Sequence, residues 1–382
     1  MKELLSEFIE IRKAIHANAE LGFNEFKTAA LVANELKKYG FSVYEGIAKT
    51  GVVGVLKKGN SKKSIALRAD MDALKMNEDA KISYASKNGC MHACGHDGHT
   101  ASLLMAAKYL STKDFDGTLN VIFQPAEECC DDEGLSGAMV MVKEGVFDKF
   151  PSDFVFGYHN MPNSQMNNTT KTFFMKKGAM MAGVSAYTVK FIGLGGHASA
   201  PHLCKDPIAA LNNFISALYT FKSLELKAGV VNVTGLNAGS AFNIIPESAS
   251  AMVNVRSLDN DELNFIDTRI KQIANSIANA FNIKAEVNLA GNIHATINND
   301  EAWEFASKVA IKIFGEENCE FDHPHLMGSE DFSAFLELVK GTYAFINNGN
   351  SKNLHHGEYI YNDEVMLNAC KYFSGLVLEY LK

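Results

Sequence analysis

The stretch Leu119-Asn120-Val121-Ile122-Phe123-Gln124-Pro125-Ala126-Glu127-Glu128 decides the fold class of this chain. It begins as an apolar run of strand length and ends in two adjacent carboxylates. Ligands of open α/β sheets bind where the strands end, so one glutamate here can hold a metal ion while the other acts on a water molecule. A Glu-Glu pair alone is more typical of a solvated surface. The remaining segments decide between these two interpretations.

The segments around this strand alternate between strands and helices. Apolar runs at 51–56, 64–68 and 154–158 predict three more strands, and the periodicity of 100–109 predicts a helix between two of the strands. Two further helices are expected between residues 4 and 39. This alternation predicts an α/β fold with a central mixed sheet and flanking helices.

A second domain is predicted within the first. Strands at 184–191, 230–236, 248–256 and 284–289 and helices at 207–223 and 259–281 follow one another in the order β-α-β-β-α-β. That order is self-contained in ferredoxin-like folds. We therefore expect an inserted ferredoxin-like α+β domain at 183–292, with residues 1–182 and 293–382 forming one catalytic, metal-binding domain.

Composition excludes several classes of protein. The 382 residues are 47% hydrophobic and 21% charged, which is ordinary for a globular protein, and the net charge of −8 opposes nucleic acid or an anionic membrane as partner. The N-terminal segment has neither the apolar core of a signal peptide nor a membrane-spanning run, so we expect a cytoplasmic protein. The seven cysteines lack the spacing of a disulfide framework, and reduced thiols are expected.

Histidine and cysteine are concentrated just before the predicted helix at 100–109. Residues 91–99 contain three histidines and one cysteine. So many metal-binding side chains in nine residues favour a metal site over a polar helix N-terminus with incidental histidines. Cys94 and His96 can converge on one ion, and Asp97 is placed to cap the helix. His92 and His99 are expected to have structural or supporting roles.

Two other loop junctions supply imidazole. His159 follows a predicted strand, and His355 and His356 lie near the C-terminus. The combined set contains nitrogen, oxygen and sulfur donors that suit zinc, manganese or a similar divalent ion. It exceeds what one tetrahedral ion needs and favours a two-metal site. Its members are Cys94, His96, Glu128, His159 and His355.

Seven motifs in order resemble those of the metal-dependent amidohydrolases that include aminoacylase, glutamate carboxypeptidase and succinyl-diaminopimelate desuccinylase. Within that group the chain is similar to the hippurate hydrolase branch of N-acyl-amino-acid amidohydrolases. The resemblance extends over nearly the whole length. The motifs are HANAELGF at 16–23, LRADMDAL at 67–74, CGHD at 94–97, QPAEE at 124–128, GGHA at 195–198, NIIP at 243–246 and MGSEDF at 327–332.

The resemblance implies a zinc-exopeptidase-like catalytic domain with two divalent ions per subunit, zinc or manganese, with nickel or cobalt also compatible. It implies that Glu127 is the general base, that Glu128 is a ligand together with the four cysteine and histidine residues above, and that Asp70 and Asp97 support the ligands. The choice of His355 over His356 rests on matching the following aromatic residue, Tyr359, and both remain candidates.

For the inserted domain, the resemblance implies a lid that also mediates a homodimer or a higher homo-oligomer. His197 is expected to bind the substrate's carbonyl oxygen, in its own subunit or in the neighbouring one. Asn243 and Arg256 are expected near the substrate's carboxylate. The chain departs from the pattern at 129–133, where an acidic loop follows Glu128 and leaves substrate preference open.

These features predict hydrolysis of the amide bond of N-acyl amino acids, with hippurate, converted to benzoate and glycine, as the leading substrate. A dipeptidase or an N-acetyl-amino-acid deacylase is the alternative within the same chemistry, and a panel of substrates separates them. A metal-stabilised binding protein without turnover is the alternative outside enzymes. Glu127, which has no structural task evident from the sequence, argues against that last interpretation.

Overall fold

The computed structural model describes residues 1–382. Its α-helices are α1 Lys2–Ala17, α2 Phe26–Lys38, α3 His96–Ser111, α4 Gly137–Lys143, α5 Val146–Lys149, α6 Pro207–Glu225, α7 Asn260–Ala280, α8 Asp300–Phe314, α9 Ser333–Leu336 and α10 Glu364–Tyr380. Its strands are β1 Ser42–Ile47, β2 Gly51–Lys58, β3 Ser64–Asp70, β4 Gly117–Gln124, β5 Phe154–Met161, β6 Phe173–Phe174, β7 Gly178–Met181, β8 Gly183–Ile192, β9 Gly196–His197, β10 Val230–Ala238, β11 Ile244–Ile245, β12 Ser248–Ser257, β13 Lys284–Ile293, β14 Thr296–Asn298, β15 Cys319–Glu320 and β16 Gly341–Asn347. None of the helices is long and apolar enough to cross a membrane.

The chain divides into two compact units. The first contains Met1–Met180, Ile297–Pro324 and Asp331–Lys382, and the second contains Met181–Thr296 and His325–Glu330. The insertion predicted at 183–292 falls inside the second unit. That unit extends slightly further at both ends and also takes in the short segment His325–Glu330, whose sequence carries no sign of belonging to it.

An eight-stranded mixed sheet forms the centre of the first unit, in the order β1-β2-β4-β3-β5-β16-β6-β15. Neighbouring strands in the run β4-β3-β5-β16 are parallel, whereas β1 and β2 pair antiparallel at one side. Every residue of β3 and of β5 is buried, as expected for parallel strands covered on both faces. The predicted α/β fold with a central mixed sheet is confirmed.

Helix α3 is buried along most of its length and packs against α1, α10 and β3. It begins after Gly95, whose φ of 95° lies in the left-handed region that favours glycine. A β-carbon there would also lie 2.3 Å from Oδ1 of Asn160. Asp97 lies in the first turn of the helix and does not cap it, contrary to expectation, because its carboxylate is bound by side chains of α1.

The second unit contains a four-stranded antiparallel sheet in the order β10-β12-β8-β13. Strand β8 alternates buried and half-buried residues, and its buried side packs with α6 and α7. The chain order β8-α6-β10-β12-α7-β13 is the β-α-β-β-α-β order that the sequence predicts. A short two-stranded sheet of β9 and β11 completes the unit.

Candidate active site

The candidate metal ligands of the first unit gather at one edge of its sheet. Glu127 and Glu128 follow the last residue of β4, and His159 lies near the end of β5, while His355 follows β16. Since these strands are parallel, their carboxyl ends lie along the same edge. Residues distant in sequence therefore meet here because of the strand order.

Cys94, His96 and His159 form a buried cluster in which one ligand atom from each lies within 4.8 Å of the others. The Sγ atom of Cys94 lies 3.2 Å from Nε2 of His159. The other ring nitrogen of His159, Nδ1, donates to the backbone oxygen of Asn160 at 2.6 Å, which leaves Nε2 as the atom directed at the thiol. The structure thus brings together three of the predicted ligands.

Cys94 also belongs to a second group, with Glu128 and His355. Nε2 of His355 lies 3.0 Å from Oε1 of Glu128. The neighbouring imidazole of His356 instead accepts a hydrogen bond from the backbone N–H of Glu358. Of the two candidate histidines, it is His355 that contacts Glu128. The two groups together offer more donors than one tetrahedral ion needs, which fits a site for two ions.

His96 links these groups to the glutamates, since its ligand atoms also lie within 4.8 Å of those of Glu127 and Glu128. Nδ1 of His96 bonds to Oδ1 of Asp72 at 3.1 Å and to the Asp72 backbone oxygen at 3.0 Å. Its Nε2 is buried and has no hydrogen-bond partner. A buried imidazole nitrogen without a partner is costly, whereas a nitrogen that coordinates a metal ion is satisfied. The residues present therefore fit a metal site.

Burial and neighbouring charges shift the pKa values of the cluster residues away from their usual values. Burial, followed by the charges of Glu128 and Glu127, raises the pKa of the Cys94 thiol well above its usual value. Burial opposes protonation of His96, but the charge of Asp70 and the bond to Asp72 outweigh it and raise its pKa to about 10. Burial and the neighbouring His99 lower the pKa of His159. A divalent cation would supply the positive charge that the thiol and carboxylates lack.

Asp70 is fully buried behind the cluster. Its Oδ2 accepts from Nη1 of Arg68 at 2.7 Å, and its Oδ1 lies 2.6 Å from Nδ1 of His99. Although burial opposes ionisation, the positive charges of His96, His99 and Arg68 hold the pKa of this carboxyl well below its usual range. Asp70 therefore supplies negative charge beside the cluster, with its Oδ2 3.9 Å from Nε2 of His96.

Asp97 contacts α1 and not the cluster itself. Its Oδ2 accepts from Nη1 of Arg12 and bonds to Nδ1 of His16, both at 2.9 Å. Nε2 of His16 lies 3.1 Å from Oε1 of Glu78. The histidine of the HANAELGF motif, His16, is thus part of a buried ionic network that holds the start of α3, where the neighbouring His96 begins the helix.

Asp72 is a functional residue that the sequence reasoning missed. Besides holding His96, it accepts the backbone N–H of Glu128 on Oδ2 at 3.0 Å, so one carboxylate fixes two candidate ligands. A signal was present, because Asp72 follows Asp70 by two residues in the LRADMDAL motif, at the spacing that places side chains on one side of an extended chain. Its backbone partner could not be inferred from that spacing.

The remaining predicted site residues lie in the second unit. His197 in β9 is exposed, and its Nδ1 lies 2.7 Å from Oγ of Ser199. The backbone oxygen of Asn243 accepts from the N–H of Ala198 at 3.0 Å, so His197 and Asn243 are close neighbours. Arg256 in β12 donates from Nη1 to the backbone oxygen of Met327 at 2.6 Å.

Two groups of metal-binding side chains that share a thiol, beside two adjacent glutamates at the end of a strand, fit a metal-dependent hydrolase. Residues 66–379 match the model of peptidase family M20/M25/M40, and the chain belongs to that family. It is 50% identical to hippurate hydrolase of Campylobacter jejuni, over 100% of this chain and 98% of that protein. It is 30% identical to N-acetylcysteine deacetylase of Bacillus subtilis, over 100% and 99%. The resemblance to amidohydrolases is thereby confirmed.

Solved structures agree with this assignment. A putative aminohydrolase from methicillin-resistant Staphylococcus aureus matches with a TM-score of 0.91 and 31% identity, over 100% of this chain and 98% of that one. The YXEP protein of Bacillus subtilis, described as a dinuclear metal binding peptidase of the M20 family, matches with a TM-score of 0.83 and 28% identity, over 100% and 99%. The predicted enzyme class is thereby confirmed.

Proposed function

We propose that the protein hydrolyses N-acyl amino acids of the hippurate type, releasing an aromatic carboxylic acid and glycine. The observation that carries this proposal is the buried Nε2 of His96, which has no hydrogen-bond partner. Its possible ligand atoms lie within 4.8 Å of those of Cys94 and His159, and also of those of the two adjacent glutamates. The choice of acyl group follows the identity of 50% to hippurate hydrolase along the whole chain.

Two divalent ions, zinc or manganese with nickel or cobalt as alternatives, would be held by Cys94, His96, Glu128, His159 and His355. When bound, such ions lower the pKa of a water molecule towards neutrality and polarise the carbonyl group. Asp70 would act through its negative charge beside His96, and Asp72 would orient the ring of His96 by a hydrogen bond.

Glu127 is the proposed general base. It would accept a proton from the attacking water and return the same proton to the nitrogen of the leaving amino acid, so that no net charge remains on the enzyme. Its neighbour Glu128 is proposed as a metal ligand instead, because its Oε1 lies 3.0 Å from Nε2 of the other proposed ligand, His355. A positioned proton transfer of this kind contributes about 10²–10⁴-fold to the rate.

The second unit is proposed to act as a lid and as the surface of a homodimer. In this proposal His197 donates to the oxygen that becomes negative in the transition state, from its own or the neighbouring subunit, and a donor of this kind is worth about 10²–10³ in kcat. Asn243 and Arg256 would bind the carboxylate of the substrate. We further propose that the enzyme acts in the cytoplasm.

A second candidate substrate class is the N-acetyl amino acids. It is favoured by the identity of 30% to N-acetylcysteine deacetylase along the full length of both chains. Kinetics with N-benzoyl, N-acetyl and dipeptide substrates of the same amino acid decide between the classes. A kcat/KM for N-acetylglycine above that for hippurate would reject the aromatic preference.

Replacement of Glu127 by glutamine tests the mechanism. The amide fills the same space and cannot accept the proton, so Glu127→Gln should retain two ions per subunit by elemental analysis and lose about 10²-fold or more of kcat. Glu133→Gln, which removes an exposed carboxylate from the nearby acidic loop, is the matched control. Retention of more than about a tenth of the rate in Glu127→Gln would exclude Glu127 as the base.

A further inference from the structure

Glu25 is a buried carboxylate that the mechanism above does not use. It occupies the N-cap position of α2, is completely buried, and makes no capping bond with its side chain. The backbone N–H groups of Lys27 and Thr28 are bound instead by the carboxylate of Glu20. The Glu25 side chain is therefore available for another purpose, and its complete burial is costly without one.

That side chain reaches the loop that holds the catalytic glutamates. Oε1 of Glu25 accepts the backbone N–H of Ala126 at 2.8 Å, and Oε2 accepts the hydroxyl of Thr50 at 2.5 Å. Ala126 directly precedes Glu127 and lies about one hundred residues from Glu25, so this bond joins two separate parts of the chain. Burial, together with the charge of Asp72, raises the pKa of Glu25 to about 7.

The backbone of Ala126 is in an unfavourable conformation. Its φ of 49° lies in the left-handed region, which is unfavourable for a residue with a side chain. Two hydrogen bonds hold it there, because its N–H donates to Glu25 and its carbonyl accepts the N–H of Gly137 at 2.8 Å. Gly22 packs closely against Ala126 on a third side. A β-carbon on Gly22 would lie only 2.9 Å from the β-carbon of Ala126, so this close packing requires glycine.

We propose that Glu25 is a positioning residue, which fixes the left-handed backbone of Ala126 and so directs the carboxylate of Glu127. The inference rests on the proposed role of Glu127 as general base. If the bond to Glu25 is lost, Ala126 relaxes towards an ordinary conformation and rotates the following residue. A displacement of about 1 Å at a catalytic group can cost about 10²-fold in rate.

The test compares variants that keep or remove the acceptor. Glu25→Gln keeps an oxygen for the Ala126 N–H and offers its NH₂ group to Thr50, so kcat should stay within about threefold of wild type. Glu25→Met has similar length without an acceptor and should lower kcat about 10–100-fold, with two ions retained and KM within about threefold. Thr50→Val removes only the other bond of the same carboxylate and is the matched control, expected within about threefold.

Two further measurements separate positioning from general stability. Glycine adopts positive φ without penalty, so Glu25→Met combined with Ala126→Gly should recover part of the lost kcat. If the Glu25→Met variant does not fold, the kcat of the double variant is compared with that of Ala126→Gly alone, so that the two proteins differ only at Glu25. In the metal-free protein, the Ala126 amide should exchange its hydrogen faster in Glu25→Met than in wild type or Glu25→Gln.

A wild-type kcat in Glu25→Met would overturn the inference, as would an equal loss in Glu25→Gln, which would mean that charge and not the hydrogen bond matters. A fall in melting temperature with unchanged kcat would show a purely structural role and overturn it too. Failure of the proposed function is recognised separately, because wild type then hydrolyses no N-acyl amino acid; failure of the general-base role alone leaves Glu127→Gln active whatever the Glu25 variants do.

Discussion

Removal of the Asp72 carboxylate should weaken metal binding more than any other change behind the ligands. This side chain orients His96 through Oδ1 and holds the backbone of Glu128 through Oδ2. Substitutions of groups that orient metal ligands typically lower metal affinity about 10–100-fold, which corresponds to about 1.4–2.8 kcal/mol. We expect Asp72→Ala to lie at the upper end of that range because two candidate ligands lose their support together.

The contacts of Asp72 also predict how much metal affinity is lost in the milder variant, Asp72→Asn. The backbone oxygen of Asp72 still accepts from His96 in any substitution, since that bond of 3.0 Å does not involve the side chain. In Asp72→Asn the amide oxygen can serve one donor, but the NH₂ group faces a second donor and repels it. Asp72→Asn should therefore lose about tenfold in affinity, the lower end of the range.

The assay is a competition titration of the metal-free protein against a chromophoric chelator, with zinc and with manganese. Asp132→Asn, which removes a negative charge from the exposed loop after Glu128, is the control and should bind both ions like wild type. Melting of each metal-free variant verifies that the fold is retained. If Asp72→Ala binds both ions within threefold of wild type, the dual support that we assign to Asp72 is refuted.

Two further predictions concern Cys94 and His16. Cys94→Ser should weaken zinc binding more than manganese binding in the same titration, because thiolate is the softer donor; an equal loss for both ions would contradict a thiolate ligand. Burial opposes protonation of His16, but the charge of Asp97 outweighs it and raises the pKa of His16 to about 9. Protonated His16 therefore stabilises the fold fully below about pH 6.5, and this contribution is lost as the pH rises through 9. The difference in unfolding free energy between wild type and His16→Gln should shrink over that interval in urea titrations of the metal-free protein, and a difference independent of pH would rule this out.

Part of the fold was predictable from the pattern that burial imposes, although the equally buried β16 was not predicted. The apolar runs that became β3, β4 and β5 were evident because parallel strands covered on both faces are continuously hydrophobic. Strand β1 was missed because most of it is exposed, so its sequence carries little apolar pattern. The segment His325–Glu330 was missed because its membership of the second unit depends on contacts distant in sequence.

The candidate site divides in the same way. Cysteine and histidine are common metal-binding residue types, and those of the proposed site were selected on that basis. Asp72 and Glu25 were not, because each acts by accepting a backbone N–H, and any residue can offer that group. A carboxylate with such a partner looks like an ordinary surface charge until the fold shows that it is buried.

The division of the first unit into separate stretches of chain affects how the protein is made. Strand β16, which pairs with β5 in the middle of the large sheet, and helix α10, which packs on α3, are both synthesised after the whole of β8 to β13. Until they leave the ribosome, β5 presents an unpaired apolar edge, the kind of surface that promotes aggregation and recruits chaperones. The second unit, nearly continuous in sequence, has no such delay. The proposed ligand His355 is also synthesised late, so the proposed metal site becomes complete only near the end of translation.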